Sequence, residues 1–138
     1  MRIALGSDEE TPLVEHIARH LRAAGHSVER LAPGAAWPEV GRTVARAVVR
    51  GDADRGIVCC YTGTGVAIAA NKVPGARAAL CGDAATALGA RRWNDANVLA
   101  LSLRLTSEAL ASEVVDAFLE GEPDPAEAEA IARVEPAQ

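Results

Sequence analysis

A chain of 138 residues, 49% apolar and 24% charged, has room for one domain with a buried core and is too apolar to be disordered along most of its length. Its net charge of −5, with 13 arginines and one lysine scattered along the sequence and aromatics at only 3%, offers no basic stripe with interleaved aromatics, so no nucleic-acid partner is expected. No stretch nears the ~20 apolar residues of a membrane span, and Met1–Asp8 lacks a cationic segment followed by a long apolar run, so neither membrane insertion nor a signal peptide is expected.

Short apolar runs alternate with longer helical patterns. Arg2–Leu5 reads as a strand ending at Gly6. Thr11 and Pro12 read as the N-cap and first residue of a helix whose apolar face is Leu13, Val14, Ile17 and Leu21, stopped by Gly25. Ser27–Leu31 is a second strand candidate carrying two charges. Pro38 opens a helix with Val40, Val44, Ala47 and Val48 inward, ending near Gly51. Gly56–Cys60 is a short, β-branched buried strand. It runs into Tyr61-Thr62-Gly63-Thr64-Gly65, and a helix is expected from about Val66. Ala78–Cys81 and Val98–Leu101 follow as strands, separated by a helix over Ala84–Arg92. Thr106–Leu119 is helical, with Leu110, Val114, Ala117 and Phe118 apolar. Pro125–Val134, rich in alanine and glutamate, reads as a terminal helix with few contacts.

Strands alternating with helices imply right-handed crossovers and a parallel sheet covered on both faces. Five strands fit a single Rossmann-like, doubly wound α/β domain over residues 1–138, with 121–138 as a C-terminal tail or helix. Such folds bind ligands beyond the carboxyl ends of the strands, where strand order reverses. That directs attention to Gly6-Ser7-Asp8-Glu9 and to Cys60–Gly65.

In the second loop a thiol at a strand end precedes two glycines and a helix. Inward-turned backbone N–H groups and the positive helix end favour a thiolate over a thiol and stabilise an oxyanion. The same residues also fit an inert buried cysteine whose glycines serve only the turn. Cys59 is expected to face away from Cys60 into the core. Ile68 stands where a dinucleotide fingerprint would need a third glycine, and no Walker loop is present. Asp8 fits equally a site carboxylate and a turn or cap. His16 and His20, one turn apart, fit a solvated helical face better than a metal site, and no Cys/His cluster has zinc spacing. An odd count of three cysteines (Cys59, Cys60, Cys81), two of them adjacent, points to reduced thiols and a cytoplasmic protein.

Gly63-Thr64-Gly65, then Ile68-Ala69-Ala70-Asn71-Lys72 and Gly75-Ala76-Arg77-Ala78, resemble the ribose-5-phosphate isomerase B family, which includes the galactose-6-phosphate isomerase subunits. Asn94-Asp95-Ala96-Asn97-Val98-Leu99-Ala100 is similar to a second signature of that family, and Gly6-Ser7-Asp8 sits where its first-strand signature belongs. The likeness spans roughly residues 1–120. It implies aldose–ketose isomerisation of a sugar or sugar phosphate through an enediol, with no metal or organic cofactor, in a homodimer or tetramer. Residue by residue it makes Cys60 the base and Thr62 the hydroxyl that helps move protons between the oxygens. The amides around Gly63 and Gly65, with Asn94, would steady the enediolate, and Asp8 would contact sugar hydroxyls. A second branch of the family places a glutamate after the second glycine; here Val66 stands there.

Four departures from the family pattern accompany the likeness. Glu9 and Trp93 stand where histidines are usual, the latter being the ring-opening one. Tyr61 replaces a glycine, and the segment from Pro123 to Ala130, PDPAEAEA, lacks the phosphate-gripping arginines, leaving Arg104 as a candidate anion contact. Without a ring-opening acid, and with Glu9 near the site, an already open-chain substrate is expected rather than ribose 5-phosphate: a four-carbon sugar phosphate, or a related unphosphorylated sugar. Trp37 and Trp93 fit the pocket wall or plain packing. A catalytically inactive or partner-dependent sugar-binding subunit of the same family is the alternative reading.

Overall fold

The computed structural model describes residues 1–136; the last two positions of the expected 121–138 tail lie outside the described residues. Its centre is a five-stranded parallel sheet of β1 (Arg2–Ser7), β2 (Ser27–Arg30), β3 (Arg55–Cys60), β4 (Ala78–Leu80) and β5 (Val98–Ser102), in the order β2-β1-β3-β5-β4. The helices are α1 (Pro12–Ala23), α2 (Trp37–Val49), α3 (Thr64–Asn71), α4 (Ala84–Asn94), α5 (Glu108–Glu120) and, after a 3₁₀ turn at Pro125–Glu127, α6 (Ala128–Ala132).

The two faces of the sheet carry separate cores. Leu5, Ile57, Cys59, Leu99 and Leu101 pack under α1, α4 and α5 around Ile17, Val114 and Phe118. Ala4, Val58, Cys60 and Ala100 alternate to the other face and pack under α2 and α3 against Val40, Val44 and Val66. Adjacent Cys59 and Cys60 therefore belong to opposite cores, as the strand alternation requires. Close packing of α2 on α3 depends on Gly41, where a Cβ would stand 2.7 Å from the Val66 carbonyl oxygen.

Element ends differ from the sequence reading where pairing or capping overrides propensity. β1 continues past Gly6 because Gly6 and Ser7 still pair in register with Val58 and Cys59. α1, by contrast, starts at Pro12 as read, with the Thr11 hydroxyl accepting from the Val14 N–H at 3.4 Å. α4 runs on through Asn94, closed by Asp95 in the left-handed region. α3 begins at Thr64 rather than Val66, because Gly63 with φ +77° forms its N-cap. A side chain at Gly63 would be strained by that φ and would also stand 2.5 Å from Leu80 Cδ1 and 2.9 Å from the Leu101 carbonyl carbon.

β1 leads to β2 on one side and lies beside β3 on the other, so strand order reverses between β1 and β3. The loops after these two strands flank the resulting crevice.

Candidate active site

The crevice is assembled by backbone bonds among three loops. The Asp8 N–H donates to the Cys59 carbonyl (3.4 Å), tying the loop after β1 to the end of β3. Leu103 and Arg104, after β5, donate their N–H groups to the carbonyls of Cys60 (2.9 Å) and Tyr61 (3.0 Å). The Ser102 hydroxyl donates to the Tyr61 carbonyl (3.1 Å) and accepts from the Leu105 N–H (3.2 Å). Cys60 and Ser102 are register partners, so a buried serine fixes the turn that follows the candidate thiol. Sequence reasoning passed over Ser102. Its signal was a hydroxyl closing an otherwise apolar buried strand.

Cys60 ends β3 and is only 5% exposed. The chain then turns at Gly63 into α3, whose first turn receives no side-chain cap. The N–H groups of that turn thus remain available to an anion. The Thr62 and Thr64 hydroxyls share a hydrogen bond of 2.7 Å at the mouth of the turn. Gly65 lies under Trp37, where a Cβ would meet the indole carbons at 2.9 Å. The Arg104 guanidinium sits 5.8 Å from the centroid of the exposed Tyr61 ring.

Asp8 is the other notable group. Its Oδ1 is buried and has no hydrogen-bond partner in the protein. Burying a carboxylate oxygen without a donor is costly, so this atom is poised for a donor from a ligand. Glu9 beside it is exposed, and its carbonyl accepts from the Ser7 hydroxyl (2.6 Å). The Cys59 thiol, by contrast, is held protonated: burial pushes it up to about 12. Burial likewise pushes Cys81 up to about 11. Neither is a nucleophile at neutral pH. All three cysteines are unpaired.

The structure brings together Asp8, Glu9, Cys60, Thr62, Gly63, Gly65 and Arg104, but not Trp93 and Asn94. Helix α4 returns antiparallel to the strands, so its last residues stand near their amino ends, roughly 16 Å of helix from its first turn. There Trp93, 55% exposed and packed on Gly89, and Asn94 line a 590 Å³ cleft between β4 and α4, with Leu80 and Cys81 at its other end. Within one chain, then, the expected grouping of Asn94 with the Cys60 loop is not formed.

The signature asparagines have structural work of their own. Asn71 accepts from the Ala78 N–H (2.8 Å) and donates to the Ala78 carbonyl (2.9 Å), pinning edge strand β4. Asn97 holds the Gly75 carbonyl (3.0 Å) and Arg77 N–H (2.7 Å) in the same way. His16 and His20 bond Ser112 (2.8 Å) and Asp116 (2.7 Å) of α5, and no cluster of three potential ligands for a metal occurs among the described residues. No helix among them is long and apolar enough to cross a membrane.

Comparison with known proteins identifies the family and the fold. Residues 3–135 match the signature of the Ribose/Galactose Isomerase family. The chain is 36% identical over 132 residues to galactose-6-phosphate isomerase subunit LacB of Clostridium acetobutylicum, covering 91% of this chain and 75% of that one. It is 38% identical over 128 residues to D-erythrulose-4-phosphate isomerase of Pectobacterium atrosepticum, covering 88% and 84%. The solved structure of Clostridium thermocellum ribose-5-phosphate isomerase B superposes with a TM-score of 0.92 at 39% identity, covering 97% of this chain and 95% of that one.

Proposed function

The chain belongs to the Ribose/Galactose Isomerase family, whose members named above are sugar-phosphate isomerases, and on that footing we propose that it interconverts an open-chain ketose phosphate and its aldose with Cys60 as the base. The observation that carries the reading is that Cys60 ends β3 just before the uncapped first turn of α3, at the strand end to which the loop of Asp8, with its unpartnered Oδ1, is tied. The Cys60 thiolate takes the proton from the carbon beside the carbonyl. The electron pair moves onto the carbonyl oxygen, and the α3 amides stabilise the enediolate. Thr62 passes a proton between the two oxygens. The Cys60 thiol then returns its proton to the neighbouring carbon, leaving the enzyme unchanged. Asp8 accepts from a sugar hydroxyl, and Arg104 attracts the phosphate. Trp93, standing where the family's ring-opening histidine is usual, is neither acid nor base and cannot exchange a proton with a ring oxygen. An open-chain substrate of the four-carbon class fits this better than ribose 5-phosphate, and one relative is named for D-erythrulose 4-phosphate.

A second reading is a partner-dependent subunit. It is favoured by the separation of Trp93 and Asn94 from the Cys60 loop within one chain. On this reading a different subunit of the family would bring its α4 end to that loop and complete the site, whereas the homodimer or tetramer of the first reading brings Trp93 and Asn94 of a second copy there.

Proton NMR in D₂O tests both. Purified protein is given D-erythrulose 4-phosphate, ribose 5-phosphate and galactose 6-phosphate, with Cys60→Ser in parallel. The proposal expects deuterium beside the carbonyl of the four-carbon substrate, with the rate lost by on the order of 10²–10⁴ in the variant. Silence across the panel from folded protein would reject it in favour of the subunit reading. Equal exchange by Cys60→Ser would remove the thiol from the mechanism.

A further inference from the structure

Outside the crevice, a 260 Å³ groove runs down the outer surface between α2 and α3, lined by Trp37, Pro38, Arg42, Arg46, Ala69, Lys72, Val73 and Pro74. Three cationic side chains face it and no carboxylate lines it, in a chain whose net charge is −5. Arg46 and Lys72 have no carboxylate within ion-pair distance among the described residues. Arg42 has only Glu39 at 3.5 Å on the half-exposed helix surface. At the far end Glu135 is turned aside, accepting from the Gly75 N–H (2.9 Å). Like charges gathered round one concavity repel unless an anion is supplied. Arg42 and Arg46 are one helical turn apart on one face of α2, while Lys72 closes α3 opposite them. This spacing lets donors reach one phosphate from both sides. The upper wall is the Trp37 ring, 43% exposed, which offers a flat apolar surface to whatever carries the phosphate.

We propose that this groove binds a phosphate monoester with a planar body, the phosphate held by Arg42, Arg46 and Lys72 and the ring stacked on Trp37. Nothing in the isomerisation uses these three cations, so the site is separate from the Cys60 crevice. It is not mechanically separate: the same Trp37 ring rests on Gly65 in the first turn of α3, so a ligand on Trp37 touches the loop that ends in the oxyanion amides.

Calorimetric titration of the full chain with phenyl phosphate, inorganic phosphate and phenol tests the proposal. Saturable binding is expected for phenyl phosphate, weaker binding for inorganic phosphate and none for phenol. Arg46→Gln with Lys72→Gln, both on the surface, should weaken phenyl phosphate by at least about tenfold, and Arg104→Ala should leave it unchanged. Thermal unfolding of each variant separates lost binding from lost folding. Absence of saturable heat, binding abolished by Arg104→Ala, or equal affinity for phenol and phenyl phosphate would each overturn it. A charge-reversed pair, Arg46→Glu with Lys72→Glu, must lose binding further; if it binds as the wild type does, the groove is not the site.

Discussion

Asp8 donates its backbone N–H to the carbonyl of Cys59 at 3.4 Å while its own Oδ1 lies buried with no partner. The loop is thus fixed by the main chain, and the carboxylate is spare. A substrate hydroxyl that donates to this oxygen recovers a charge-assisted hydrogen bond worth roughly 1.5–3 kcal/mol. Asp8→Asn keeps the shape and removes the charge. It is expected to leave the thermal midpoint unchanged or slightly raised and to lower kcat/KM by about 10–100-fold, mostly through KM. Destabilisation with unchanged KM would mean that Asp8 serves only the turn.

Much of this architecture was legible in the sequence because its signals are local. The 3.6-residue apolar stripe of α1, its Thr11–Pro12 start and the β-branched run of β3 each carry their meaning in a few neighbouring residues. The separation of Asn94 from Cys60 was not legible. It follows from α4 running back along the sheet, which only the topology fixes. The same holds for the signature segments around Asn71 and Asn97. In the sequence they mark a family likeness with no role attached, and the fold supplies the role: both side chains are spent on main-chain groups of the β4 edge. The spare oxygen of Asp8 likewise depends on which donors the folded loop does not supply.

Arg91 provides a sharp test of the packing beside Asn94. It is 1% exposed, yet its guanidinium donates to Asp95 (2.8 Å) and to the carbonyls of Ala96 (2.6 Å) and Gly121 (3.2 Å), with the Phe118 ring 5.9 Å away. Removing it strands buried acceptors as well as a carboxylate. Arg91→Leu is expected to cost about 3–5 kcal/mol. Arg77→Leu, which removes the half-buried second partner of Asp95, should cost clearly less because water can replace it. Chemical denaturation of the two variants checks the order; equal losses would show that the Arg91 bonds contribute nothing beyond surface pairing.

Burial of Cys59 predicts loss of stability in alkali. Its thiol is pushed up to about 12, whereas an unfolded cysteine ionises near ~8.5. Below the unfolded value both states hold the proton and pH has no effect through this group. Above it the unfolded chain releases the proton and the folded one does not, so stability falls as pH rises from ~9 towards 12, by at most ~1.4 kcal/mol per pH unit. Urea unfolding at pH 8, 9.5 and 10.5 should show that decline, with a shallower slope in Cys59→Ala. An unchanged slope in the variant would assign the alkaline loss to other groups.

Trp93 is the residue on which the substrate argument turns. Its ring lies on Gly89 one helical turn back, half in solvent, beside Asn94 in the cleft under β4. An indole N–H has no titration near neutrality and cannot exchange a proton with a ring oxygen, whereas an imidazole titrates near pH ~6.5. Under the open-chain proposal, wild-type turnover of ribose 5-phosphate, which is mostly cyclic in water, is limited by unassisted ring opening. With a second copy's α4 end at the Cys60 loop, as the homodimer of that proposal has it, Trp93→His should then raise that turnover at least about tenfold and leave turnover of D-erythrulose 4-phosphate, which cannot close such a ring through its blocked terminal hydroxyl, no faster. The exposed position makes the exchange structurally mild. Wild-type turnover of ribose 5-phosphate already near ~10 s⁻¹ would refute the open-chain preference, because that rate is ordinary for an enzyme on its own substrate. An equal gain on both substrates would instead make Trp93 a steric barrier, with ring opening performed elsewhere.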